Sequence, residues 1–321
     1  MASQFLISVD LGGTKILSAL IDSRNKILSR VKIPTETEKG AEFLVESVAA
    51  SIAKILNENN LKESDIKAVC MGVPGTVNPF SGEIGNAPNL DIKKFNIKKA
   101  LGKKISIPVL IENDVNLAGL GIKKFELNKN VKNILVVFVG TGIGGALFFD
   151  GKLYRGSSFY AGEIGHMLVE SKGKFAVSSK RKTFELAAGR PAIVRDIRKG
   201  LNKGKKSILK EYISPQKQLK SKALSDAVSK ADPLAIKYVG KSATAIGTVL
   251  GSITTLLNID TIVLGGGVIE AMHRFMIPKI KKAFKDSVLT EPGKNVKIFE
   301  TKLGDDAALY GGIALAEEFL K

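Results

Sequence analysis

One local pattern occurs twice in this chain, and it constrains the fold more than any other feature. Residues 7–21 read as an apolar strand, a Gly-Gly-Thr turn and a second strand, and Lys26–Lys32 reads as a third. Residues 133–149 repeat this order around the turn Gly140–Gly145, and a hairpin signal then leads into Lys152–Arg155. In 321 residues, enough for two domains, this repeat predicts an architecture built from two copies of one unit.

Apolar spacing and turn residues predict the remaining elements. The stretch Thr76–Pro88 is rich in Gly, Pro, Asn and Ser, and it is predicted to be a loop. We expect strands at Ile66–Val73, Ile107–Ile111 and Ile259–Leu264, and helices at Ala41–Asn59, from Asp114, at Pro233–Asn258 and at Ala307–Leu320.

The composition is that of a globular protein. Apolar residues make up 44% of the chain and charged residues 25%. No apolar stretch is as long as a membrane span, and the N-terminus has no signal-peptide pattern. The single cysteine, Cys70, excludes an internal disulfide and a cysteine-rich metal site. We therefore expect a cytoplasmic protein with no membrane partner.

The net charge of +18 is unusual. It permits a polyanionic partner such as nucleic acid, polyphosphate or a membrane surface. The alternative is lysines that are simply solvated, and we favour it because they are spread along the chain. Only residues 172–222 are locally dense, and they lack the interleaved aromatics of a single-strand binder. We expect no nucleic-acid partner.

The first glycine turn has the composition of an anion site. Gly12 and Gly13 allow backbone amides to approach an anion and to adopt positive φ, and Thr14 adds a hydroxyl donor. Asp10 would repel phosphate, but it could hold Mg²⁺ or a water of its shell. An ordinary hairpin turn explains the same residues, and both interpretations remain open for this turn alone.

The second glycine turn favours the anion interpretation. Gly140, Thr141, Gly142 and Gly144 lie in the same local context as the first turn, and a strand follows, unlike in Rossmann or Walker motifs. Two such turns suggest one polyphosphate held from both sides of a cleft. A third glycine run follows a buried-type strand and would allow close approach to a flat nucleobase; it comprises Gly265, Gly266 and Gly267.

Two further stretches carry polar side chains suited to chemistry. Asp114 follows a strand end, where a carboxylate could accept the proton of an attacking hydroxyl. Alternatively, Asp114 or Asn113 caps the next helix, and both interpretations can hold through different residues. Glu163 and His166 lie in a glycine-bracketed turn and could bind a polyhydroxyl ligand, although a lone histidine is usually structural.

Taken together, these motifs resemble the ROK family of sugar kinases and repressors. The matches are DLGGTK at 10–15, ENDVNLAG at 112–119, GTGIGG at 140–145, GEIGH at 162–166, LGGG at 264–267 and DDAALYGG at 305–312. They follow the family order over nearly the whole chain. The resemblance implies the actin-like, ribonuclease H-like duplicated α/β fold, with MgATP in an interdomain cleft. We expect a small lobe at 1–117, completed by 305–321, and a large lobe at 118–304.

The resemblance also implies roles for individual residues. Asp114 matches the catalytic base of the family. The sugar contacts that it implies are Asn113, Glu163, His166, Glu185 and, in the sugar-side loops, Gly75 and Asn89. The ATP contacts that it implies are Asp10, Gly12, Gly13, Thr14, Lys15, Gly140, Thr141, Gly142, Gly144, Gly265, Gly266 and Gly267.

The sequence departs from the family at the zinc motif. Relatives usually place Cys-x-Cys-Gly-x-x-Gly-Cys-x-Glu here, and three cysteines with the histidine that matches His166 hold a structural zinc. The aligned positions are Ala176, Ser178 and Thr183, none of which is a thiolate. One histidine is not a zinc site, so we predict no zinc. Some other group must then orient the imidazole of His166.

The function that the resemblance implies is an ATP- and Mg²⁺-dependent hexose kinase acting on the 6-hydroxyl of glucose. Glucose is preferred to fructose, mannose or N-acetylmannosamine by family frequency alone. Polyphosphate remains open as the donor, because +18 would suit that polymer. A non-catalytic sugar sensor or nucleic-acid-binding regulator is the alternative class. A DNA-binding domain is not expected, since the first glycine turn follows so soon after Phe5. A homodimer is expected by resemblance.

Overall fold

The computed structural model describes residues 5–169, 183–214 and 216–320 as a mixed α/β protein. The strands are β1 Phe5–Leu11, β2 Lys15–Ile21, β3 Ile27–Pro34, β4 Ile66–Val73, β5 Thr76–Val77, β6 Glu83–Ala87, β7 Ile92–Asn96, β8 Val109–Asn113, β9 Ile134–Val139, β10 Ile143–Phe149, β11 Lys152–Leu153, β12 Thr261–Gly265 and β13 Lys297–Glu300. The helices are α1 Ala41–Glu58, α2 Ile97–Leu101, α3 Asp114–Phe125, α4 Phe184–Ala188, α5 Arg190–Asn202, α6 Ser221–Ser229, α7 Pro233–Leu257, α8 Gly267–Ser287, α9 Thr290–Gly293 and α10 Asp306–Phe319.

Two five-stranded sheets have the same topology. One has the order β3-β2-β1-β4-β8, and the other has the order β11-β10-β9-β12-β13. In one sheet β1 pairs antiparallel with β2 and parallel with β4. In the other sheet β9 pairs antiparallel with β10 and parallel with β12. The repeat in the sequence therefore corresponds to a structural duplication, as predicted.

The chain divides into two compact units. The first comprises Met1–Asn130, Leu153–Ala161 and Asp305–Lys321, and the second comprises Val131–Lys152 and Gly162–Gly304. These bounds differ from those predicted, because residue 117 lies inside α3 and cannot separate two units. Residues 153–161 also belong to the first unit, which no local sequence signal indicated.

Apolar periodicity explains the packing of the first unit. Helix α1 buries Leu44, Val48 and Ile52 at helical spacing in the core that also contains residues of β1, β2 and β4. Helices α3 and α10 approach at their backbones, since a Cβ added at Gly311 would lie 1.8 Å from the carbonyl oxygen of Leu117. Glycine in the closing helix thus lets α10 pack tightly on the helix that begins at Asp114.

Three local predictions were wrong in extent. The region Thr76–Pro88 is not a loop, because β5 and β6 join β7 in a three-stranded antiparallel sheet whose short strands lack an apolar pattern. Strand β8 runs two residues beyond the predicted Ile111, to Asn113. The second glycine turn ends early, since β10 begins at Ile143. Among the described residues, none of the helices combines the length and the apolarity needed to cross a membrane.

Candidate active site

The first glycine turn connects β1 to β2 and is held by backbone hydrogen bonds. The amide of Gly12 donates to the carbonyl of Lys15 at 2.9 Å. Thr35 fixes the turn from the end of β3: its amide donates to the carbonyl of Thr14 at 3.2 Å, and its hydroxyl donates to the carbonyl of Gly12 at 2.7 Å. Hydrogen bonds therefore fix the turn at the ends of β1, β2 and β3.

Gly12 and Gly13 do not use the positive φ that glycine allows. Glycine is needed at 13 for a different reason. A Cβ there would lie 2.9 Å from the carbonyl oxygen of Asn89, whose segment packs against the turn. This contact brings the predicted residue Asn89 beside the first glycine turn.

Asp10 lies at the centre of a group of charged side chains. Its pKa is raised from 3.8 to about 7, first by burial and then by the carboxylates of Asp114 and Asp305, against a lowering by Lys15. The ammonium of Lys15 also forms an ion pair with the carboxylate of Asp305. The first unit thus brings three carboxylates and one ammonium close enough to influence one another.

Asn113 and Asp114 lie where β8 ends and α3 begins. The side-chain oxygen of Asn113 accepts hydrogen bonds from the amides of Val115 at 2.9 Å and Asn116 at 3.0 Å, so Asn113 is the N-cap. Its side-chain amide donates to the carbonyl of Gly75 at 3.0 Å. Because Asn113 caps the helix, Asp114 occupies the first helical position, and both interpretations of this motif can apply.

The backbone conformation at residue 75 requires a glycine. It has φ of 90°, and a Cβ would lie 2.2 Å from the carbonyl oxygen of Asn86. Its carbonyl in turn orients Asn113. The structure therefore connects the predicted residue Gly75 to the end of β8 through one hydrogen bond.

The second glycine turn belongs to the second unit, where two of its amides already have partners. The amide of Gly140 donates to the carbonyl of Gly142 at 2.9 Å, and that of Ile143 donates to Glu185 Oε2 at 3.0 Å. Arg190, at the start of α5, donates from its guanidinium to the hydroxyl of Thr141 at 2.6 Å. The turn thus already holds one carboxylate and has one arginine beside it.

Glu163, His166 and Glu185 also come together in the second unit. Burial raises the pKa of Glu163; Glu185 raises it further, and His166 lowers it. The imidazole Nε2 of His166 lies 3.9 Å from the carboxylate of Glu163, and the His166 side chain is 73% exposed. Gly162 permits this turn, because it has φ of 94° and a Cβ would lie 2.2 Å from the carbonyl oxygen of Gly145.

Of the three glycines at 265–267, only one has open space where a side chain would lie. A Cβ at Gly265 would meet Phe138 and Thr301 at 3.0 Å, and one at Gly266 would lie 2.7 Å from the carbonyl oxygen of Val139. Packing inside the unit therefore accounts for these two glycines. At Gly267, the first residue of α8, an added Cβ would meet nothing within 4 Å.

Two of the three positions on which the zinc prediction depends, Ala176 and Ser178, lie outside the described residues. The hydroxyl of Thr183 accepts a hydrogen bond from the amide of Leu186 at 3.4 Å and caps α4. Within 5–169, 183–214 and 216–320, no group of three or more His, Cys, Asp or Glu residues could hold a metal ion. The absence of zinc stays a prediction.

Four residues that the motif analysis did not select belong to these groups. Asp305 and Arg190 contact predicted residues directly. Glu112 lies buried next to Asn113 and forms an ion pair with Arg155. Glu112 could have been found, because it opens the motif ENDVNLAG, but the partners of Arg155 are 43 and 163 residues away in sequence.

Comparisons with known proteins concern the chain as a whole. A model of the ROK family matches residues 6–319. A glucokinase of Halalkalibacterium halodurans is 29% identical over 313 residues, which cover 97% of this chain and 94% of that protein. The DNA-binding transcriptional dual regulator NagC of Escherichia coli is 24% identical over 314 residues, covering 97% of this chain and 75% of the regulator.

A solved structure supports the fold. The ROK family glucokinase from Streptomyces griseus, in complex with glucose and AMPPNP, is 27% identical, and the match has a TM-score of 0.82 and covers 98% of this chain and 99% of that one. Together with the two sheets of identical order, this confirms the predicted actin-like, ribonuclease H-like duplicated α/β fold class.

Proposed function

The chain belongs to the ROK family, and we propose that it is a sugar kinase that transfers the terminal phosphoryl group of ATP to the 6-hydroxyl of glucose. Relatives of two kinds match it, a glucokinase and a transcriptional regulator. The choice between them depends on whether this chain retains the groups needed for catalysis, rather than on similarity alone.

The observation that carries the proposal is the position of Asp114. It is the first residue of α3, next to a cap that is fixed on both sides by hydrogen bonds, and it acts electrostatically on Asp10 beside the first glycine turn. When a hydroxyl group attacks a phosphoryl group, a nearby carboxylate is needed to accept the hydroxyl proton. Asp114 is such a carboxylate beside a candidate phosphate site. A sugar-binding regulator has no need of such a pair.

The proposed sugar contacts follow from the two groups of polar side chains. In the first unit, Asn113 has one side-chain amide hydrogen beyond its bond to Gly75. In the second unit, Glu163, His166 and Glu185 supply carboxylate and imidazole groups, which suit hydroxyl donors. We assign Gly75 a supporting role because its carbonyl accepts the side-chain amide of Asn113, and Asn89 another because its carbonyl packs against Gly13 of the first glycine turn.

The proposed phosphate contacts are the two glycine turns. Thr14, Lys15 and Thr141 supply donors there, and we add Arg190 because its guanidinium already contacts the hydroxyl of Thr141. The remaining contacts were predicted from the motifs, namely Gly12, Gly13, Gly140, Gly142, Gly144, Gly265, Gly266 and Gly267. Of the last three, Gly267 is the one with open space for a nucleotide.

Mg²⁺ fits the donor set of the first unit. Mg²⁺ usually binds proteins through one or two carboxylates together with substrate phosphates, so the absence of a three-ligand cluster among the described residues is compatible with it. Asp10 would hold the ion or a water of its shell. The raised pKa of Asp10 reflects burial first and the carboxylates of Asp114 and Asp305 second, and a bound cation would offset both effects. The ion would supply charge neutralisation on the phosphates.

The reaction then needs positioning more than covalent chemistry. The 6-hydroxyl oxygen forms a bond to the terminal phosphorus as the bond between that phosphorus and the bridging oxygen of ADP breaks. Asp114 accepts the hydroxyl proton, late in a loose transition state. Lys15 and Arg190 offset the negative charge of the transferred group and of the departing ADP.

The test is an assay of ADP release over a panel of hexoses and amino sugars with ATP and Mg²⁺. We expect turnover with glucose, and a turnover lowered about 10²- to 10⁴-fold in Asp114→Asn. The assay is repeated after EDTA treatment, with Mg²⁺ restored and zinc withheld, to test the predicted independence from zinc. Turnover with fructose, mannose or N-acetylmannosamine instead of glucose would change the substrate, whereas no turnover with any sugar would refute the proposal.

Polyphosphate is a second candidate donor, and one observation favours it. A cavity of about 340 Å³ in the second unit has one acid in its lining, Asp196, and five lysines: Lys199, Lys203, Lys205, Lys237 and Lys241. A polyphosphate activity that exceeds the ATP activity and falls steeply with salt would support this donor. The dense stretch 172–222 adds Lys206 and Lys217 to Lys222, while Lys180 to Lys182 lie outside the described residues.

The regulator interpretation has its own test. A gel-shift experiment with random duplex DNA at physiological salt should show no binding if the basic stretch is a solvated surface. Binding would revive the nucleic-acid partner. We also propose a homodimer, which sedimentation of the purified protein would test.

A further inference from the structure

A buried ion pair lies directly beside the proposed base. The side chain of Glu112 is 1% exposed and that of Arg155 is 11% exposed, and Arg155 Nε donates to Glu112 Oε2 at 2.7 Å. Buried ion pairs contribute little net stability, because desolvation offsets their attraction. The pair therefore calls for a role other than stability.

The second oxygen of Glu112 holds residues on both sides of Asp114. Oε1 accepts a hydrogen bond from the amide of Asn113 at 3.0 Å and another from the side-chain amide of Asn116 at 3.1 Å. One carboxylate thus fixes Asn113, the residue before Asp114, and Asn116, which lies in the first turn of α3. Any rotation of this carboxylate would move the first turn of the helix.

The guanidinium of Arg155 is fixed on its other side by α10. Its two terminal nitrogens donate to the two oxygens of Glu318 at 2.8 and 3.1 Å, and its centre lies 5.6 Å from the ring centroid of Phe319. The carbonyl of Arg155 also accepts the amide of Ala161 at 3.0 Å, which closes the segment 153–161. A planar fork can meet two carboxylates in this way, whereas a lysine cannot.

We propose that Arg155 is a positioning residue for the base Asp114 and that it acts through Glu112. The proposal rests on the proposed function, since it concerns the same base. Arg155 holds the Glu112 carboxylate between α10 and the end of β8, and Glu112 in turn sets the orientation of the first turn of α3. Arg155 touches neither phosphate nor sugar in this account.

The first test compares Arg155→Lys with the wild type and with a control, Lys124→Gln. Lys124 forms an ion pair with Glu317 between α3 and α10, so its loss changes the same two helices without touching Glu112. In Arg155→Lys, we expect kcat for sugar phosphorylation to fall about 10-fold or more, because small misplacements of a reacting group are costly. KM for sugar and ATP should change by less than about 3-fold, since binding groups stay in place.

Hydrogen exchange supplies a readout that does not depend on activity. The amides of Val115 and Asn116, both bonded to Asn113, should exchange faster in Arg155→Lys than in the wild type, and not in Lys124→Gln. Unchanged kcat in folded Arg155→Lys would overturn the proposal even if its Tm fell. Equal losses of kcat in the control would also overturn it, because the effect would then be general loosening of α3 and α10.

A milder pair of variants keeps the test valid if Arg155→Lys does not fold. Glu318→Gln removes the charge of one of the two carboxylates that Arg155 contacts and leaves the pair of Arg155 with Glu112, whereas Glu317→Gln makes the same change one residue earlier. We expect kcat to fall in Glu318→Gln and not in Glu317→Gln; equal kcat in both would refute the positioning role. Wild-type protein without turnover would refute the proposed function itself, which distinguishes the two failures.

Discussion

Replacing Asp10 by asparagine should stabilise the ligand-free protein at neutral and alkaline pH. The pKa of Asp10 is raised from 3.8 to about 7 in the folded state, by burial first and then by the carboxylates of Asp114 and Asp305. Between these two values the folded state keeps a proton that the unfolded state has released. The free energy of unfolding therefore falls as pH rises through this window, and the loss is complete above about pH 7.

The magnitude follows from the pKa difference. About three pKa units at about 1.4 kcal/mol each correspond to about 4 kcal/mol of lost stability in the wild type above about pH 7. Asparagine has nearly the same shape and does not ionise, so the variant escapes this loss. It also loses the attraction to Lys15, so we expect a net gain of about 2–4 kcal/mol at about pH 8.

The assay is urea unfolding followed by far-UV circular dichroism, on EDTA-treated protein, at about pH 5 and about pH 8. The gain should be small at the lower pH and large at the higher one. Asp306→Asn is the matched control, since Asp306 forms an exposed ion pair with Arg30 at 2.7 Å, and its loss should cost less than about 1 kcal/mol. A gain that is equal at both pH values, or a loss at about pH 8, would refute the electrostatic account of Asp10.

Four other substitutions test the site. Asp114→Asn should lower kcat about 10²- to 10⁴-fold and leave the Kd for glucose within a few-fold in calorimetry; turnover at the wild-type rate would exclude Asp114 as the base. Gly162→Ala should cost about 2 kcal/mol or more in urea unfolding, because φ of 94° and a backbone oxygen 2.2 Å from the new Cβ oppose it. Gly267→Ala, in open space at the start of α8, should instead raise stability by up to about 1 kcal/mol. Arg190→Met should raise KM for ATP about 10-fold with unchanged Tm, since its guanidinium contacts the hydroxyl of Thr141 at the phosphate turn; an unchanged KM would remove it from the site.

Local signals in the sequence were sufficient for much of this molecule. Strand and turn chemistry predicted the duplicated unit, and apolar spacing predicted α1 and α7 within two residues of their ends. The capping alternative at residues 113 and 114 is realised through Asn113. These features depend on neighbours in sequence, whose geometry is set by backbone sterics and side-chain type. The motif residues could therefore be named without a structure.

Short strands were harder to predict. Strands β5 and β6 carry Gly, Asn and Thr, and they form a sheet because β7 pairs with them, not because of an apolar pattern. The reason for glycine at 12 and 13 was equally hidden from local signals. A side chain at these positions would collide with the segment of Asn89 and with the turn itself, whereas the backbone there is not left-handed.

By itself, then, the sequence determined the repeated unit, the two glycine turns, and the carboxylates and amides that follow the strands. Tertiary structure alone decided how these groups act on one another. Asp10 owes its raised pKa to burial and to carboxylates far along the chain. Arg155 meets Glu112 and Glu318 because three distant segments meet in one unit. Electrostatic energies depend on distances in space and on burial, and neither can be read from positions along a chain.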